Sequence, residues 1–255
     1  MKIKDYENEV LEYFQKLSFS IEKIPESNEK TPDFLISGSE KILIELKAKF
    51  DAKELRDEQE NVLTSGEVFQ HGELTGYTNK VAKVISDGKS QLKKQKRATE
   101  SDFCFLFIVA SGVNASTQVK QFHSTFYGIM PIVDFADNSN IAKNCYYFTE
   151  SQFFRCRDTL DGAFLVNSYS GQLKILINDK SLNYEKLKKS KFWRQFAANV
   201  PYIDPVELES KGSAYIADCL IERKEADKVQ QYVFDKYGIQ RGMCHNFENI
   251  VFQAR

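Results

Sequence analysis

The chain has 255 residues, of which 42% are hydrophobic and 28% charged, and its formal net charge is −1. This is the profile of a folded globular protein, not of a disordered or fibrous one, and no apolar run approaches the roughly 20 residues that a bilayer crossing needs. No membrane partner is expected, and a near-neutral charge excludes binding to nucleic acid through overall basicity, so any such binding must be local, modest and salt-sensitive.

Five cysteines, Cys104, Cys145, Cys156, Cys219 and Cys244, are odd in number and scattered without CxxC spacing, which reads as small core residues in a reducing compartment. The N-terminal MKIKDYENEV carries no apolar signal segment, so the expected location is cytoplasmic. The only histidines are His71, His123 and His245, which argues against a zinc site and against a Ser-His-Asp or Cys-His hydrolase. The length suits one large domain or a core with an appendage.

In chain order, residues 4–17 set Val10, Leu11, Phe14 and Leu17 at helical spacing, with Glu7 at the edge of the buried stripe and Glu9 and Glu12 toward solvent. Three strands are predicted at 19–24, 32–37 and 41–50. In the last, KILIELKAKF, the two-residue period sends Ile42, Ile44, Leu46, Ala48 and Phe50 to one wholly apolar face. Leu43, Glu45, Lys47 and Lys49 share the other, so a carboxylate and an ammonium stand side by side on a strand anchored from behind.

Residues 51–78 make an unusually long connection. A short helix is expected in AKELRDEQENVL, then a mobile flap rich in Gly, Thr and Ser near the mouth of the site, with His71 read as a surface residue. A lysine-rich helix follows at 79–97, with Val81, Val84, Ile85 and Leu92 inward and Gly88 allowing close approach to a strand or backbone. Lys89, Lys93, Lys94, Lys96 and Arg97 crowd its remainder, which suits phosphate contacts and equally the dipole at a helix C-terminus. A strongly apolar strand is expected at 103–110.

Further on, the pattern predicts a helix at 119–130, strands at 131–136 and 145–149, and a helix over 150–158 capped by Thr149 or Ser151. Residues 163–169 and 172–178 flank Ser170-Gly171 as a hairpin, and helices are expected at 183–197 and 213–237. The stretch KLKKSKFWR at 186–194 mixes cations with aromatics as a base-stacking surface would, but Trp193 and Phe196 at helical spacing read as core.

The chemistry concentrates in residues 31–50. Asp33 and Glu45, once their strands pair, supply oxygen ligands for a hard divalent cation with positions left for water and a phosphate oxygen. Such a cation draws charge from the phosphate and lowers the pKa of its water, while Lys47 orients the attacking water or offsets charge on the pentavalent phosphorus. Glu222-Arg223-Lys224 repeats the Glu-x-Lys spacing, but about one copy arises by chance in a chain of this size, and it reads as a solvated helix face.

Pro32-Asp33 followed by Glu45-Leu46-Lys47, in the order helix, three strands, helix, strand, resembles the PD-(D/E)XK nuclease superfamily. The resemblance implies an α/β fold with a restriction-endonuclease-like core, α-β-β-β-α-β with a mixed central sheet flanked by helices, over residues 1–112, with 51–78 as a long flexible insertion. Residues 113–255 are left as an α+β C-terminal extension packed on the same core. The implied activity is that of a Mg²⁺-dependent deoxyribonuclease, with Mn²⁺ as a substitute, which leaves a 5′-phosphate and a 3′-hydroxyl. Asp33, Glu45 and Lys47 are its implied catalytic residues, and Asp33, Glu45 and the Leu46 carbonyl its metal ligands. Glu7 matches a glutamate on the first helix that holds water or a second ion, and Gln91, with Gln95 in reserve, matches a glutamine on the second helix that approaches the site.

The partner so implied is nucleic acid, DNA in the first place, cut by an endonuclease of restriction or phage defence that works as a homodimer where both strands are cleaved. Two other readings stand beside it. One is a catalytically inactive module of the same fold that binds nucleic acid or a partner protein. The other is a plain α/β domain in which Glu45 and Lys47 form a strand-face ion pair, leaving Asp33 as an unexplained like charge near Glu45. The complete set Glu7, Asp33, Glu45 and Lys47 favours the enzyme.

Overall fold

The computed structural model describes residues 3–25, 31–137 and 141–253. Helix α1 (Ile3–Lys16) leads into β1 (Ser20–Lys23), β2 (Phe34–Ser37) and β3 (Ile42–Phe50), which form an antiparallel meander. After α2 (Lys53–Thr64) and β4 (Phe69–Leu74), helix α3 (Asn79–Ala98) carries the chain across to β5 (Phe103–Ser111), which lies parallel to β3 over nine paired residues, Ile42 opposite Phe103 through Phe50 opposite Ser111. The expected order of helix, three strands, helix and strand is therefore present, with one helix and one strand inserted before α3.

Later segments widen the same sheet. The chain continues through α4 (Ala115–Tyr127), β6 (Met130–Asp134), β7 (Lys143–Tyr146) and α5 (Gln152–Arg155) to β8 (Gly162–Asn167), parallel to β5, and β9 (Leu173–Ile177), its hairpin partner. Gly171 turns that hairpin at φ 65°, a left-handed value that glycine adopts without steric cost. Helices α6 (Tyr184–Lys189) and α7 (Lys191–Ala197) precede β10 (Tyr202–Ile203), and the sheet order is β1-β2-β3-β5-β8-β9-β10. The protein is thus α/β, with a mixed seven-stranded sheet flanked by helices.

The two faces of β3 are buried by different helices, as a strand with a two-residue period requires. Ile42, Ile44 and Leu46 pack with Tyr6, Val10 and Phe14 of α1 and with Phe192, Trp193 and Phe196 of α7. Leu43 packs on the opposite side with Val81, Ile85 and Leu92 of α3 and Phe122 and Phe126 of α4. Phe14 anchors the first layer, its ring 5.3 Å from that of Phe164 and 5.5 Å from that of Phe196; emptying such a site costs about 3–5 kcal/mol. Trp193 and Phe196 are core, which removes the base-stacking surface weighed for 186–194.

The chain closes with α8 (Pro205–Ser210), β11 (Ala214–Ile216), α9 (Ala226–Tyr237), β12 (Gly242–Cys244) and β13 (Glu248–Gln253). A second sheet runs β11-β7-β6-β12, and β13 pairs with β4 in a two-stranded ribbon. Two expectations need correction here. The second half of 51–78, expected as a flap, supplies β4, because its partner strand lies at the far end of the chain where no local pattern reveals it. The helix expected over 213–237 begins only at Ala226: Ala214, Tyr215 and Ile216 pair with β7 instead, a short buried apolar run that periodicity alone does not separate from helix. Arg223, expected on a helix face, lies in the following loop and donates to the Ala217, Cys219 and Ile221 carbonyls. The helix expected over 183–197 is likewise two helices, since Ser190 breaks it and its hydroxyl accepts from the Trp193 N–H at 3.0 Å.

Candidate active site

Strand register brings the two carboxylates together. β2 pairs with β3 as Phe34 opposite Ile44 and Leu35 opposite Leu43, so one further step sets Asp33, the residue just before β2, across from Glu45. The Asp33 carbonyl accepts from the Ile24 N–H at 2.8 Å, and its carboxylate accepts from the Leu46 N–H at 2.7 Å. Asp33 is therefore tied on one side to the chain leaving β1 and on the other to β3. A strand residue sends its N–H and C=O toward the same neighbour, so the Leu46 carbonyl is on the edge that faces Asp33.

Glu45 is 1% exposed. The Lys47 ammonium donates to its Oε1, while its Oε2 is buried and receives no donor among the described residues. The Asp33 carboxyl is a hydrogen-bond neighbour of the same side chain. Two groups that only accept when ionised thus face each other, Glu45 buried and Asp33 half-buried, an arrangement that a proton or a cation between them relieves. Without a cation, burial first and the Asp33 charge second push the Glu45 carboxyl up to about 8, Lys47 pulling the other way. Burial likewise raises Asp33, against the Leu46 N–H and the Lys47 charge.

Helix α3 completes the constellation. Gln91 accepts from the Lys47 ammonium at 2.7 Å through Oε1 and donates through Nε2 to the Thr31 carbonyl at 3.2 Å. The amide thereby fixes Lys47 between β3 and the chain entering β2. Gln95, the reserve candidate, gives its backbone carbonyl to the Thr99 N–H at the end of α3. Thr31 carries no signal in the sequence, because a backbone carbonyl works the same under any side chain.

No protein-family model, curated protein or solved structure matches the chain.

Glu7 stands slightly apart. Its carboxylate accepts from the Lys23 ammonium at 2.6 Å, and its charge contributes a minor part of the upward shift of Asp33. Among the described residues no group of three or more His, Cys, Asp or Glu is arranged to hold a metal, so the donor set here is two carboxylates and a carbonyl. For a hard cation this set fits: oxygens only, one of them buried without a donor. Asp33, Glu45 and the Leu46 carbonyl are the residues that would hold it.

The basic stretches noted in the sequence are largely neutralised. Lys93 donates to Asp158 at 3.2 Å, and Lys89 and Lys96 lie 3.7 Å from Asp158 and 3.9 Å from Asp161. Lys186 donates to Asp102, and Lys188 to Asp204 and Glu207. His71 lies on β4 with Nε2 3.3 Å from the Glu73 carboxylate. Beyond Lys47, on the same face of β3, Lys49 opens onto a cleft of about 520 Å³ lined also by Asp51, Glu73, Tyr77, Lys80 and Gln118.

Proposed function

We propose that this chain is a metal-dependent phosphodiester hydrolase acting on DNA, with a core of the restriction-endonuclease-like type. The observation that carries the reading is the convergence of half-buried Asp33 on fully buried Glu45, one of whose oxygens receives no donor among the described residues. The ion pair of the bland alternative, Lys47 with Glu45, is present, but it leaves the second Glu45 oxygen facing the Asp33 carboxyl, and a buried carboxylate without full pairing is costly. The element order α1-β1-β2-β3-α3-β5, with β5 parallel to β3, supports the same reading.

A bound Mg²⁺, with Mn²⁺ as a substitute, supplies Lewis acidity toward the phosphate and makes water a stronger nucleophile at neutral pH. The chain's own residues do the remainder. Asp33, pinned by the Leu46 N–H, and Glu45, pinned by Lys47, keep their carboxylates converged at no cost at the moment of reaction. Lys47, aimed by Gln91, stabilises charge as it builds on the phosphorus. The apolar layers behind β3 exclude water from the rear of the site.

The test is incubation of pure protein with plasmid and linear DNA, with and without Mg²⁺ and Mn²⁺, beside a Lys47→Ala control. Metal-dependent cleavage that the substitution removes is expected; full cleavage by purified Asp33→Asn protein would refute the assignment.

A further inference from the structure

The lysines of α3 divide into two sets by geometry. At about 100° per residue, Lys89, Lys93 and Lys96 fall on the rim of the helix away from Gln91, and these are the ones that meet Asp158 and Asp161. Lys80 falls within about 20° of Gln91 and Lys94 and Lys83 about 60–80° from it, on the solvent side of that rim. All three are exposed, and none has a carboxylate partner among the described residues. Asp87, also exposed, is the one acid that α3 itself places in the strip, so the helix contributes a net charge of about +2 there, while Asp51 and Glu73 share a cleft with Lys80 at its N-terminal end.

From Lys80 to Lys94 the helix rises about 21 Å, the axial length of about six base pairs at 3.4 Å each. We infer that the Gln91 rim of α3 is the track for a duplex DNA backbone, with Lys80, Lys83 and Lys94 contacting phosphates on either side of the one delivered to Lys47. The inference rests on the nuclease reading for what happens at Lys47 and on the partition of lysines for the track itself. It would also let a near-neutral chain bind a polyanion: Asp158 and Asp161 offset two of the three lysine charges on one rim, leaving about +1 there against about +2 on the other.

The experiment is fluorescence anisotropy of the full chain with a labelled 20-base-pair duplex and the matching single strand, in EDTA so that nothing is cut, across a salt series. For the duplex, Lys80→Gln/Lys83→Gln/Lys94→Gln together should flatten the slope of log affinity against log salt by about 2.7, three contacts at about 0.9 each. Lys89→Gln/Lys93→Gln should leave the slope unchanged, and Asp87→Asn should tighten binding. Equal slopes for the wild-type and triple variant, no duplex binding by the wild-type, or a loss confined to the single strand would overturn the inference. A flattened slope in a chain that cuts nothing with Mg²⁺ would instead retain the track and sink the nuclease reading, so the two fail separately.

Discussion

Gly88 lies so close to Glu45 that a Cβ at this position would stand 3.5 Å from the Glu45 Cγ, and only 2.6 Å from Leu106 Cδ2 on β5, the register partner of Glu45. The absence of a side chain lets α3 settle onto the strand that carries the site, and so lets Gln91, one turn along, reach Lys47.

Gly88→Ala is therefore expected to affect activity more than stability. Overpacking against fully buried Leu106 costs about 1–3 kcal/mol, offset by about 1 kcal/mol of helix propensity, whereas lifting α3 moves Gln91 away from Lys47. Cleavage should fall at least about tenfold, with a net loss below about 2 kcal/mol in urea denaturation. Unchanged cleavage would mean that the close approach is packing alone.

Lys47→Ala should abolish cleavage, a loss of about 10²–10³-fold or more, with the circular dichroism of the wild-type. Gln91→Ala should keep a fraction of the activity, since it loosens Lys47 without removing it. Comparing single-turnover rates of the two variants checks the order, and a more severe loss in Gln91→Ala would contradict the positioning role.

Mg²⁺ should raise the melting temperature of the wild-type chain, because a ligand bound only by the folded state adds about 2.7 kcal/mol at a hundred times its Kd. Glu45→Gln removes the effect. The same variant without metal should be at least as stable as the wild-type, because it replaces an acid forced to face Asp33 in a buried site. Differential scanning fluorimetry with and without metal reads both outcomes.

His123, on α4 among Tyr127 and Tyr146, has a buried Nε2 without a partner among the described residues. Burial lowers its pKa from 6.5 to about 3. Between those values the unfolded chain binds the proton and the folded chain does not, so stability is lost progressively as pH falls below about 6.5. The loss from this one group is about 2 kcal/mol at pH 5. His123→Phe keeps the ring and removes the proton, so its advantage over the wild-type in urea denaturation should be larger at pH 5 than at pH 8. An advantage equal at both would rule out titration as the cause.

The alternation in KILIELKAKF determined by itself which face of β3 is apolar and that Glu45, Lys47 and Lys49 share the other, because a strand's side chains alternate whatever lies around them. The spacing of Val81, Ile85 and Leu92 likewise revealed the inward stripe of α3, and Trp193 and Phe196 were legible as core. Only the tertiary structure decided the rest. The β2–β3 register set Asp33 against Glu45, and α3's seat on Leu106 brought Gln91 to Lys47. The distant strand β13 made β4 from what read as loop, and β7 drew Ala214–Ile216 out of a helix. The reason is one of range: helix and strand periods are local properties of a chain, whereas strand register, a helix's depth and the partner that neutralises a lysine depend on residues tens to hundreds of positions away. A sequence records such contacts only as residue types, not as neighbours.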